Sequence, residues 1–179
     1  MYRAATWYLL EKNVALDDPE KIAHLISTAP IVCDLEENQS RICIGEIDPE
    51  KFLRDDRVNN GVSLVSSVPR VREVLVERMR QYARDQDVVM EGRDIGSVVF
   101  PDTPYKFYID ASPEIRRQRR EAQGQSDQIA ARDRADSSRR ASPLIIADDA
   151  QVIDSSNLTI DGVVGEIIGQ LKKKGMQIA

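Results

Sequence analysis

The stretch Val88-Val89-Met90-Glu91-Gly92-Arg93-Asp94-Ile95-Gly96-Ser97-Val98-Val99-Phe100-Pro101-Asp102 constrains this chain more than any other. Val88 to Met90 is a short apolar run, rich in β-branched residues, that follows the polar break Asp85-Gln86-Asp87; it predicts a buried strand. The run delivers Glu91, Arg93 and Asp94, spaced by Gly92 and Gly96, to the strand's carboxyl end, which is where open α/β sheets bind ligands. Glycine lets backbone approach a ligand closely, and an arginine there offers a planar fork for a phosphate. Alone, a Gly-Arg-Asp triplet is a weak signal that reads more readily as a salt-bridged turn.

The rest of the chain alternates helices with short strands. Met1 to Leu10 has helical periodicity without a capping residue before it. Asp18-Pro19 caps a helix whose apolar face is Ile22, Leu25 and Ile26. The loose alternation from Ile31 to Ile47 predicts a β-hairpin, and Asp48-Pro49-Glu50 a helix that continues through Ser63. Pro69 opens the clearest helix, with Val71, Val74, Leu75, Met79 and Tyr82 on one face. Strands follow at Tyr105–Asp110 and Ala150–Asp154. Helices are expected from Pro113 to Arg120, from Ile129 to Arg139 ahead of Pro143, and after Thr159 with Val164, Ile167, Ile168 and Leu171 turned inward. Strands alternating with helices imply a parallel, helix-covered sheet in one domain, 1–179.

No apolar run is long enough to span a bilayer, and nothing reads as a signal peptide, so a cytoplasmic protein is expected. Cys33 and Cys43 form no CxxC pattern and predict reduced thiols, and the single histidine, His24, is expected on a helix surface. The net charge of −5 argues against a nucleic-acid partner. Yet residues 116–140 hold eight arginines against four acids, an island of about +4 in a body of about −9. Such an island suits a small polyanion. On a helix, Arg132, Asp136 and Arg139 share one face, so Asp136 could align two arginines on a phosphate; a solvated, charge-laced helix is the plainer alternative.

The run from Glu91 to Asp102, continuing through Tyr105-Lys106-Phe107-Tyr108-Ile109-Asp110-Ala111-Ser112, resembles the GRD-[IM]-G-[TS]-VVFPD segment and following DAS strand of the bacterial cytidylate (CMP) kinases. Arg132-Asp133-Arg134-Ala135-Asp136-Ser137-Ser138-Arg139 matches their RDxxDxxR pattern residue for residue. By that likeness Arg132 and Arg139 would contact the transferring phosphates, and Asp136 the acceptor nucleotide's side. Tyr2 and Arg3 resemble the end of the SGAMYR motif that faces the CMP. Ser63 and Arg72 match the serine and the second PRVR arginine that recognise cytosine, and Arg93 and Asp94 the residues that grip the α-phosphate and sugar. The resemblance implies phosphoryl transfer from ATP to CMP or dCMP with Mg2+ carried on the ATP. It also implies no nucleic acid or membrane partner, a monomer, an acceptor-binding insert at 27–62 and a lid at 116–140.

Four departures qualify it, one of them the stretch Gly45 to Asp56. The connection from Arg120 to Arg132 is shorter than usual in the family, and Glu91 stands where an aspartate is usual. The sequence also contains no GxxxxGK[ST] phosphate loop. The fold expected is therefore an α/β P-loop nucleoside monophosphate kinase-like parallel sheet, with helices on both faces and a small arginine-rich lid, lacking the first strand, P-loop helix and second strand. The expectation is an N-terminally truncated cytidylate kinase, poorly active as it stands; the alternative is a kinase-derived protein that binds nucleotide without catalysis.

Overall fold

A computed structural model of the chain describes residues 1–36, 39–84, 86–122 and 145–177. The arm expected at 129–139, Pro143, and with them Arg132, Asp136 and Arg139, lie outside the described residues. The chain divides into two compact units, one built from residues 1–90 and the other from residues 91–177.

The first unit is helical. Helices α1 (Tyr2–Glu11), α2 (Pro19–Thr28), α3 (Asp56–Ser67) and α4 (Pro69–Tyr82) accompany a hairpin of β1 (Ile31–Glu36) and β2 (Gln39–Ile44). The hairpin is antiparallel, with Ile31 opposite Ile44 and Cys33 opposite Ile42. Asp18 caps α2 by accepting from the Lys21 N–H at 3.0 Å, and Pro19 follows at the first helical position. α1 has no side-chain cap bond. The helix expected from Asp48 to Ser63 is interrupted: Glu50–Phe52 makes one 3-10 turn, and α3 starts afresh at Asp56. Phe52 breaks away to stack on Trp7, ring centroids 5.8 Å apart.

Burial here is extensive. Ala4, Ala5, Leu9, Ile22, Ile26, Val58, Val65, Val71 and Leu75 are all 0% exposed and form one cluster. Gly61 lets α1 and α3 close together, because a Cβ there would lie 2.6 Å from Leu16 Cδ1 and 3.0 Å from Thr6 Cγ2. Cys33 and Cys43 are free, and His24 is exposed.

The second unit is thinner. β3 (Phe107–Asp110) pairs in parallel with β4 (Gln151–Asp154), Ile109 opposite Ile153, and α5 (Pro113–Glu121) and α6 (Ile160–Lys173) complete its regular structure. Thr159 caps α6 by accepting from the Gly162 N–H at 3.1 Å. The face of α6 expected to turn inward is only partly covered: Val164 is exposed, and Ile167, Ile168 and Leu171 are half-buried.

Residues 88–90 form no strand, and Val89 is exposed. A buried parallel strand needs ladder partners, and the two sheets among the described residues are β1–β2 and β3–β4, neither of which reaches it. The apolar pattern was compatible with a strand, but pattern alone supplies no partner.

Candidate functional site

After Gly92 the backbone winds into a single π-helical turn, Ile95–Val99, an uncommon geometry that recurs at functional sites. Asp94 opens it: its carbonyl accepts from Val98 N at 2.9 Å and Val99 N at 3.1 Å, and Phe100 N donates to Ile95 O at 2.8 Å. Gly92 is required, since a Cβ would sit 2.8 Å from Ile95 Cγ1. Arg93 is half-buried and Asp94 buried at the entrance to the turn. Ser97 Oγ is enclosed in the same turn without a hydrogen-bond partner among the described residues.

The carboxyl ends of β3 and β4 are tied by polar contacts that the sequence did not announce. Ser155 N donates to Asp110 O at 2.8 Å, extending the ladder by one residue, and Ser155 Oγ donates to the same carbonyl at 2.7 Å. Arg119, from α5, donates Nη1 to Ser155 Oγ at 2.9 Å and Nη2 to Ser155 O at 2.6 Å. Ser156 Oγ donates to Asp154 Oδ1 and accepts from Ser112 N. The Ser156 hydroxyl and backbone N–H hold the Asp154 carboxyl below the usual aspartate range. On α5, hydrogen bonds from Arg117 and Gln118 lower Glu114 in the same sense, and those of Glu114 and Glu121 raise Arg117. The one legible cue was a pair of hydroxyls, Ser155-Ser156, directly after a strand.

The remaining predicted residues belong to the first unit. Arg72 is 5% exposed, its guanidinium 5.1 Å from the centre of the Tyr2 ring, and Nη1 donates to Ser66 O at 3.1 Å. α1 and α4 thus bring Tyr2 and Arg72 together, an arrangement that favours a cation over an aromatic face. Ser63 is half-buried one turn before Ser66, whose hydroxyl donates to the Ser63 carbonyl at 3.3 Å. Arg3 is directed elsewhere: Nη1 donates to Leu53 O at 2.7 Å and to Asn59 Oδ1 at 2.6 Å, fastening α1 to the start of α3. Asn59 in turn donates Nδ2 to Arg54 O at 2.7 Å.

Arg93, at the entrance to the Ile95–Val99 turn, is a donor of the kind that suits a phosphorylated ligand. No group of three or more His, Cys, Asp or Glu able to hold a metal occurs among the described residues. Arginine has no lone pair to offer a cation, so Arg93 suits a ligand's phosphates and not a metal ion. No helix among them is long and apolar enough to cross a membrane.

The family model described as Cytidylate kinase matches residues 1–173. The chain is 42% identical over 180 residues to a cytidylate kinase of Rhodococcus jostii (strain RHA1), covering 94% of this chain and 79% of the relative. It is 36% identical over 184 residues to one of Caldanaerobacter subterraneus subsp. tengcongensis, covering 97% and 80%. A third relative, the cytidylate kinase of Clostridium botulinum (strain Loch Maree / Type A3), is 38% identical over 184 residues, covering 97% and 83%.

Proposed function

The chain belongs to the cytidylate kinase family, and from that premise we propose that it binds CMP or dCMP as acceptor for the terminal phosphoryl group of ATP, giving the diphosphate and ADP. An oxygen of the acceptor's phosphate attacks the γ-phosphorus in line, that P–O bond forms, and the bond from γ-phosphorus to the β,γ-bridging oxygen breaks. Little covalent help is needed from protein; positioning and charge neutralisation carry the reaction. Magnesium on the ATP supplies part of the neutralisation. Arg93 takes the acceptor's phosphate with Asp94 beside the sugar, while Tyr2, Ser63 and Arg72 serve the base. Arg132 and Arg139 hold the transferring phosphates, with Asp136 on the acceptor's side.

The observation that supports this best is the glycine-framed turn carrying Arg93 and Asp94. Acceptor binding is the appropriate test, because the 179 residues carry no phosphate loop for the donor. Arg93→Ala should weaken CMP binding by about 2–3 kcal/mol, the range for a hydrogen-bonded charged group, with the far-UV spectrum unchanged. Equal CMP affinity in the two proteins, by calorimetry, would remove Arg93 from the site.

A further inference from the structure

One side chain that the proposed chemistry does not use holds the phosphate turn from beneath. Lys106 stands just before β3 and is 6% exposed, a rare burial for an ammonium group. A buried charge is tolerated only when it is paired and hydrogen-bonded. Lys106 Nζ donates to Asp149 Oδ1 at 2.8 Å and Oδ2 at 2.6 Å, and also to the carbonyl of Pro101. The hydrogen bond from Lys106 holds the Asp149 carboxyl below its usual range.

Three segments meet on this lysine. Pro101 is the residue after Phe100, where the π-helical turn closes. Asp149 lies in the loop that leads into β4, and Gln151 N donates to the Lys106 carbonyl at 3.0 Å. The middle of the turn rests on the aliphatic stem: a Cβ on Gly96 would come 3.4 Å from Lys106 Cδ and 3.5 Å from Cγ. An apolar side chain could cover Gly96, but it could not also bind a carbonyl and a carboxylate.

We propose that Lys106, clamped by Asp149, is a positioning residue: it fixes the turn Ile95–Val99 and so sets the direction in which Arg93 meets the acceptor's phosphate. The inference rests on the reading that Arg93 binds that phosphate. Its consequence is selective. Loosening the clamp weakens recognition of the phosphate and leaves recognition of the nucleoside alone.

The test compares CMP with cytidine, which lacks the phosphate, by NMR titration of the wild-type chain, Asp149→Asn, Asp149→Glu and Lys106→Met. Asp149 is the useful handle because its side chain is 61% exposed, so its substitution threatens folding less than that of Lys106. Asp149→Asn should raise the Kd for CMP about five- to tenfold, in keeping with loss of a charge-assisted bond, with that for cytidine unchanged. Asp149→Glu should recover most of the CMP affinity, and amides of residues 95–100 should exchange faster in ligand-free Asp149→Asn. Unchanged CMP affinity, equal losses for both ligands, or unaltered exchange across 95–100 would each overturn the clamp. A wild-type chain that binds neither ligand would overturn the phosphate reading itself, and the positioning role with it.

Discussion

The two units of this protein are held together by different forces. Residues 1–90 bury a continuous apolar cluster in which nine side chains are wholly shielded, among them Leu9, Ile26 and Leu75. Among the described residues, the second unit buries three apolar side chains, Val99, Ala111 and Ile153, beside three polar ones, Asp94, Lys106 and Ser155, whereas Thr6, Ser66 and Arg72 of the first unit are set in a much larger apolar cluster. Apolar burial is non-directional and scales with area, about 25 cal/mol per Å2. Hydrogen bonds add only about 1 kcal/mol each, yet they fix direction. The first unit is thus built for stability, and the second for orientation: its polar contacts converge at the carboxyl ends of β3 and β4 and under the Arg93 turn.

The sharpest way to break this contrast is one substitution made in both units. Ile26→Ala should cost about 2–5 kcal/mol, the range for a buried isoleucine, because Ile26 is entirely enclosed. Ile153→Ala should fall at or below the lower end, because its neighbour across the strand pair, Ile109, is already exposed. Urea unfolding followed by Trp7, the single tryptophan and a resident of the first unit, reads the former; segment-resolved amide exchange reads the latter. Equal losses would mean that the second unit has a core of the same quality.

A smaller effect belongs to Gly92. Alanine there must displace Ile95, whose Cγ1 would be 2.8 Å away, and overpacking of this kind costs about 1–3 kcal/mol. CMP affinity should fall along with stability, because Arg93 is the next residue. A Gly92→Ala protein with unaltered CMP binding would show that the turn tolerates reshaping.

Legibility in the sequence follows the same division. The caps at Asp18 and Thr159, the hairpin and the long apolar face of α4 are local patterns, and the structure holds them where the sequence put them. The glycines of the Arg93 turn were legible as positions of close approach, but at Gly92 the neighbour is Ile95 of the same turn, which the sequence did not show. What failed was partnership. Nothing in Val88-Val89-Met90 says whether a strand lies beside it, and nothing in Asp48–Ser63 says that Phe52 will leave the helix to stack on Trp7. Lys106 was hidden for the same reason: its partner is 43 residues away, and a lysine before a strand looks like surface until Asp149 is seen against it.

Acid and alkali should separate the units. Asp149 and Asp154 have depressed folded-state pKa values, caused first by the hydrogen bonds from Lys106 and Ser156. Their stabilising effect is present above the unfolded value, about 3.9, and is lost as pH falls through the lower folded value. In the first unit burial raises both the Cys33 thiol and the Tyr82 phenol, which also share a hydrogen bond. That contribution is full below the unfolded thiol and phenol values, about 8.5 and 10, and disappears as pH climbs through the raised ones. Amide exchange in residues 145–155 should therefore accelerate first in acid, and in β1 and α4 first in alkali. The opposite order would sink the assignment of polar contacts as the second unit's principal support.

The smallest expected effect is also the one whose sign is most informative. Gly165 lies in α6 with nothing within 4 Å of where a Cβ would be, and its φ is not in the left-handed region. Alanine at this site should therefore stabilise the helix by about 0.5–1 kcal/mol, through the reduced freedom of the unfolded chain. Gly61 lies inside α3 and has the same intrinsic gain available, but there the Cβ would meet Leu16 Cδ1 at 2.6 Å and Thr6 Cγ2 at 3.0 Å. Leu16 can swing away, whereas Thr6 is wholly buried and cannot, so the gain at Gly61 is cancelled or reversed. One substitution type thus stabilises the loosely covered unit and fails in the close-packed one, each read by exchange of the helix that carries it. Stabilisation at both sites would show spare room between α1 and α3, and the contrast in packing between the units would lose its firmest local support.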